Sequence, residues 1–213
     1  MLTKIPNMLT MGRIAVIPVM IAALIWLDSP LGNWVAFSFY TFACLTDFFD
    51  GYLARALAQQ SAFGRFLDPI ADKLLVASVL LLLIGVGRIH DLIVFPAAVI
   101  LCREILVSGL REFLAEVRVP MPVTALAKWK TGIQMLALGF LLVGPAGPDF
   151  GPLTTTEIGI YGLWAAALLT IVTGADYLVV GIRQIAAVDK QEDKDRAASE
   201  VASKSKPDIT STS

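Results

Sequence analysis

Up to about residue 188 the chain is a succession of long apolar runs, and the breaks between them are short and polar. A helix needs about 20 mostly apolar residues to cross a hydrocarbon core. Six segments reach or approach that length, at roughly residues 8–28, 34–58, 65–87, 91–116, 125–145 and 157–183. The stretches separating them, such as "DSPLGN", "GRIHD" and "GPAGPDFGPLTTT", carry the Gly, Pro and Asn of turns. The pattern predicts an all-α integral membrane protein with six transmembrane helices. After residue 188 the pattern stops: "DKQEDKDRAASEVASKSKPDITSTS" has no aromatic residue and sets five basic against six acidic side chains. Such a segment cannot bury a core. Residues 1–188 are therefore expected to form one six-helix membrane domain, and 189–213 a disordered cytoplasmic tail.

Composition supports this reading. Of 213 residues, 56% are hydrophobic and only 16% charged, against about a quarter charged in soluble domains. The bilayer is the expected partner, and no nucleic acid is. The N-terminus has a basic start and an apolar run, but no small-x-small cleavage site precedes Asp28, so it reads as a retained first span. Charge placement sets the orientation. With the N-terminus inside, the outward loops hold Arg88 alone of the 17 basic residues. Both termini are then cytoplasmic, in a bacterial inner or plasma membrane. His90 falls in a short outer loop as a bystander. Cys44 and Cys102 lie in apolar runs without a pairing pattern and are expected to be small core hydrophobes.

The segment "DFFDGYLARALAQQSAFGRFLDPIAD", from Asp47 to Asp72, contradicts its apolar surroundings. A charged residue at the centre of a membrane helix costs about 2.5–3.5 kcal/mol, so four aspartates oppose insertion by roughly 10–14 kcal/mol in the worst placement. Simple pairing with bases has Arg55, Arg65 and Lys73 nearby. The spacing suggests a stronger compensation. Asp47, Asp50 and Ala54 follow the i, i+3, i+7 positions of one helix face, with Gly51 beside them. Asp68 and Asp72 are an i, i+4 pair on the following helix. A turn around Gly64 would set the two helices antiparallel and bring the four carboxylates together. An all-oxygen donor set without His or Cys suits hard divalent cations, Mg²⁺ before Mn²⁺ or Ca²⁺. Two ions would offset four charges and form a clamp for phosphoryl chemistry. Gly51 and Ala54 leave room for a bulky ligand.

Asp47, Asp50, Gly51, Ala54, Arg55, Gly64, Asp68 and Asp72 fill every fixed position of a known signature, and on them the chain resembles the CDP-alcohol phosphotransferase family. The resemblance implies six transmembrane helices, commonly as a homodimer, and displacement of CMP from a CDP-linked lipid or alcohol. It implies one metal, Mg²⁺ or Mn²⁺, on Asp47, Asp50 and Asp68, and a second on Asp47, Asp68 and Asp72. Asp72 would also take the acceptor's hydroxyl proton. Asp50, Gly51, Ala54, Arg55 and Gly64 would form the CDP site.

Further basic residues bear on the acceptor. Arg103 and Arg111 stand at i and i+8 in "REILVSGLRE", and Lys128 and Lys130 lie in "AKWKT". Snorkelling to the interface explains the two lysines well enough. It explains Arg103 poorly, because that residue lies deep in an apolar run, and an acceptor phosphate would use such a cluster. With "IPNMLTMGRIAVIP", "DPIADK" and "KWKTGIQM", these segments are similar to members that join CDP-diacylglycerol to glycerol 3-phosphate. Members using an inositol phosphate or phosphatidylglycerol are the near alternatives. A divalent-cation or proton transporter is the alternative of a different class. It is disfavoured because the acids crowd one membrane face and no repeated half is visible.

Overall fold

The computed structural model describes residues 5–57, 62–117, 119 and 125–204. Six α-helices account for nearly all of them: α1 (Ile5–Trp26), α2 (Leu31–Leu57), α3 (Ala62–Gly85), α4 (Val94–Glu116), α5 (Ala125–Val143) and α6 (Thr155–Lys204). The helix count matches the hydrophobic pattern, and so do the approximate limits except at the far end of α6, which runs on to Lys204. Among the described residues, four stretches are long and apolar enough to cross a membrane: Met8–Trp26, Asp91–Glu116, Ala125–Ala146 and Thr155–Ala186. The helices α2 and α3 fall short because they carry the acids. Any 18-residue window of α3 includes Asp68, Asp72 and Lys73, and α2 mixes Asn33, Tyr40, Thr41 and Asp47 into its apolar run.

Side-chain contacts fix the direction of every helix. Thr10 and Arg13 of α1 meet Asp68 and Asp72 of α3 in the same order, so these helices are parallel. Asn33 and Tyr40 of α2 meet Val143 and Met135 of α5 in reverse order. Gly159 and Gly162 of α6 face Leu141 and Ala137, also in reverse. Arg103 and Leu110 of α4 lie against Gly174 and Gly181 of α6 in the same order. Ala23 and Arg13 of α1 meet Gly32 and Asp47 of α2 in reverse order; hence α1, α3 and α5 run one way, and α2, α4 and α6 the other.

The core is a seam of fully buried aliphatic side chains, among them Met20, Val79, Leu83, Ile100, Leu138 and Leu163. Cys44 is half-buried, whereas Cys102 is exposed on the apolar outside of α4, not in the core. The turn from α1 to α2 is tight enough to need Gly32, since a Cβ there would stand 2.6 Å from the Leu27 carbonyl oxygen.

Arg88, expected in an outer loop, has a structural role there. Its guanidinium donates to the carbonyls of Leu141 (2.8 Å) and Leu142 (2.5 Å) and to Asn33 Oδ1 (2.7 Å). Asn33 Nδ2 donates to the Val143 carbonyl at 3.0 Å. The last carbonyls of a helix have no partner within it, and here two side chains from other elements supply them. His90 is exposed and meets its neighbour Asp91, at 2.9 Å. The helix α6 continues to Lys204, so residues 189–204 are helical where a disordered tail was expected. Their Ala, Glu, Gln, Lys and Arg are good helix formers, and a helix extending another needs no new nucleus.

The contact of α5 with α6 depends on small residues, as in many membrane helix pairs. A Cβ at Gly159 would stand 2.7 Å from Leu141 Cγ and 3.0 Å from its backbone nitrogen. Gly159→Ala should therefore lower the thermal midpoint in detergent. Overpacking costs about 1–3 kcal/mol, which outweighs the gain of about 1 kcal/mol from helix propensity. Gly132, with nothing within 4 Å of its added Cβ, is the control, and Gly132→Ala should hold or raise the midpoint. An undiminished midpoint in Gly159→Ala would contradict the close approach.

Candidate active site

The acids of α2 and α3 meet across α1. Among the described residues, α2 packs mainly on α1 and α5, and α3 mainly on α1 and α4. The two helices run antiparallel, as expected, but each packs on α1, and the residues that join them lie outside the described ones. Gly64 is buried within the first turn of α3, and α1 stands between the two acidic helices.

Thr10 and Arg13 are one turn apart on α1 and therefore share a face. Both are buried, with 1% and 2% of their surface exposed. Thr10 Oγ1 donates to Asp68 Oδ1 at 2.5 Å. A single nitrogen of Arg13, Nη1, lies 2.6 Å from Asp72 Oδ1 and 3.0 Å from Asp47 Oδ1. Asp47 and Asp68 both lie within electrostatic reach of Asp72. Three of the four predicted aspartates thus gather at one place. The side chains of Asp50, Gly51, Ala54 and Arg55 lie outside the described residues, as does that of Arg65.

The base seen among these acids is not one that their sequence neighbourhood put forward. Lys73, one of those neighbours, donates to the Pro69 carbonyl at 2.6 Å and reaches Glu112 at 4.0 Å. The partner is Arg13, 34 residues before Asp47. A signal for it was present, because Arg13 interrupts an apolar run just as Arg103 does.

The donors are carboxylates, with no His or Cys contributing, and a cation already sits among them as a guanidinium. That chemistry fits a hard divalent ion. Among the described residues, no three acidic, His or Cys side chains are close enough to hold an ion as they stand. Arg13 stands between Asp47 and Asp72, and Thr10 holds Asp68 to α1.

The predicted acceptor residues divide into two sets. Lys130 is buried and ion-paired to Glu104 of α4, whose other oxygen lies 3.9 Å from Arg103. Arg103 is packed against α6, with its guanidinium 5.5 Å from the centre of the Tyr177 ring and 3.5 Å from Thr173 Oγ1. Arg111 and Lys128 are exposed, as is Trp129. The structure therefore joins Arg103 and Lys130 through Glu104, which the sequence reading overlooked, and leaves Arg111 and Lys128 outside that group. Given the helix directions, this cluster and the aspartates occupy the same half of the bundle. Of the described cations, buried Arg13 stands at the carboxylates, and buried Lys130 with half-buried Arg103 at the second group.

Two carboxylate-bearing helices, a counter-cation and a second cationic group in one half of a helical membrane bundle suit chemistry on a phosphorylated lipid. Residues 3–193 match the family described as CDP-alcohol phosphatidyltransferase, and the chain belongs to that family. Enzymes of this family generally use divalent metal ions. Among the similar curated proteins, one from Rickettsia bellii is 47% identical over 174 residues, covering 82% of this chain and 93% of its own. One from Cereibacter sphaeroides is 36% identical, covering 82% and 93%. One from Arabidopsis thaliana is 37% identical, covering 85% and 79%. The bacterial pair are named CDP-diacylglycerol–glycerol-3-phosphate 3-phosphatidyltransferase, and the plant protein carries that name with the number 2.

The second cluster makes a prediction about stability. Removing one partner of a buried ion pair costs about 3–5 kcal/mol, because the other charge is left without compensation. With Glu104 partly exposed, Lys130→Met should cost about 3 kcal/mol, the lower end of that range. The double variant Glu104→Gln/Lys130→Met should recover much of the loss. Thermal unfolding of both variants in detergent tests this. Equal destabilisation in the two would show that the pairing is energetically idle.

Proposed function

We propose that this protein transfers the phosphatidyl group of CDP-diacylglycerol to glycerol 3-phosphate, giving phosphatidylglycerophosphate and CMP. What carries the reading is the convergence of Asp47 and Asp72, from two helices, on a single cation at Arg13. It occurs in a chain similar over most of its length to proteins named for that reaction. In this reading all six helices span the membrane, both termini face the cytoplasm, and the aspartates open to the inner leaflet. The alternation of helix directions and the concentration of Lys and Arg on one side support that arrangement. The bundle works as a homodimer, and its catalytic domain ends near Val188.

Asp47, Asp50, Asp68 and Asp72 would hold two divalent ions, Mg²⁺ by the hardness of the donors, which supply the positive charge that a diphosphate needs before an alcohol can attack it. The protein groups do the rest. Asp50, Gly51, Ala54, Arg55 and Gly64 receive the CDP portion. Arg103 and Lys130, held in register by Glu104, offer cations to the acceptor phosphate, with Arg111 and Lys128 at the rim. Asp72 accepts the proton of the acceptor's 1-hydroxyl. That oxygen forms its bond to the phosphatidyl phosphorus as the bond from this phosphorus to the diphosphate's bridging oxygen breaks. The electron pair leaves with CMP.

Purified protein should release CMP from CDP-diacylglycerol with glycerol 3-phosphate, and far less with inositol 1-phosphate or phosphatidylglycerol. Preference for either of the latter would reassign the acceptor. Release of no CMP with any acceptor would remove the transferase reading. Asp72→Asn keeps the shape but cannot take the proton, and loss of a general base costs about 10²–10⁴-fold in rate. The variant should still insert and fold while losing activity on that scale. Turnover like that of the wild type would rule out Asp72 as the base.

A further inference from the structure

We propose that Arg13 is a built-in competitor for the divalent metal, and that its release from Asp47 and Asp72 sets how tightly the metal binds. The inference rests on the transferase reading above and deepens it. The same Nη1 is 2.6 Å from Asp72 Oδ1 and 3.0 Å from Asp47 Oδ1. A Mg²⁺ ion would need carboxylate oxygens at about 2.0–2.1 Å in near-octahedral order. A guanidinium that close to both oxygens would sit against the ion as a like charge, although Asp47 and Asp72 are themselves partly open to solvent. The two cations therefore exclude one another, and binding the metal requires Arg13 to turn away.

Several features show that Arg13 is set in this place. It is 2% exposed, so the charge is enclosed by protein. Thr10, one turn earlier, fixes the same face of α1 to Asp68. The contacts from α1 to α2 and α3 thus include one hydrogen bond from a neutral hydroxyl and one ionic bridge, and only the bridge competes with a metal. The arrangement has a clear use. Clustered carboxylates repel one another until a cation arrives, and Arg13 lets the acidic helices fold into the bilayer before it does. The released guanidinium is then a cation close to where an anionic donor must sit.

The test is Mn²⁺ binding to purified protein without either substrate, followed by the electron paramagnetic resonance signal of free Mn²⁺. Arg13→Gln removes the competing charge and should tighten Mn²⁺ binding by at least about fivefold, the lower end of coupling between linked sites. Arg13→Lys keeps the charge but offers no planar fork. Its Mn²⁺ affinity should fall between those of the wild type and the Arg13→Gln variant, and it serves if Arg13→Gln fails to fold. Unchanged or weaker binding in either folded variant overturns the proposal, since an arginine that merely braced the site would weaken it when lost. Wild-type transferase activity, assayed alongside, separates the two readings. An active wild type whose Mn²⁺ affinity the substitutions do not raise overturns the competition and leaves the reaction standing.

Discussion

The gathering of like charges around one buried cation is the constraint around which this bundle is organised. Asp47, Asp68 and Asp72 come from two helices of an otherwise apolar bundle, and like charges brought together repel strongly unless a cation compensates them. The bundle meets that constraint by inserting α1 between α2 and α3 and presenting Arg13 and Thr10 to all three acids. Much else in the fold is consistent with it. The parallel run of α1 and α3 follows from matching Thr10 and Arg13 to Asp68 and Asp72. The tight turn at Gly32 returns the chain so that α2 can lie along α1.

The two ends of the bundle handle polar groups differently. At one end Arg88 and Asn33 satisfy the last carbonyls of α5, with neutral acceptors for a cation and no acid involved. This closes the end of a helix that would otherwise leave orphan carbonyls. The other half gathers the aspartates, and beside them the Arg103–Glu104–Lys130 group. There charges meet counter-charges on other helices, so removing or displacing one alters its partner's environment. The first arrangement closes a helix end with neutral acceptors, and the second pairs charge with charge.

Glu104 shows why a list of cations was an incomplete description of the second charged cluster. Buried lysine is costly unless paired, so a lysine close to fully buried needed an acid within reach. That acid is on the preceding helix, 26 positions earlier. Its presence lowers the net positive charge of the cluster while fixing where the ammonium sits. Preorganised groups lose less freedom when a ligand arrives.

The apolar runs made the helices and their limits readable, because a bilayer demands about 20 apolar residues per crossing whatever the neighbours. The aspartate spacing was readable for a similar reason. Residues three or four apart share a helix face in any protein, and a fixed pattern of eight residues is specific enough to carry a family. The order in which helices pack was not readable from local periodicity. Nothing within α2 or α3 states that α1 lies between them, so Arg13, 59 positions from Asp72, could not be matched to its acids. Nearby Arg55, Arg65 and Lys73 were the natural candidates on sequence distance alone. The same holds for Glu104 with Lys130 and for Arg88 with α5. Such pairs are set by which faces meet across the bundle, a property of packing that sequence separation does not encode. The helical path of 189–204 differed for another reason: its composition rules out a core, but a helix continuing from α6 needs none.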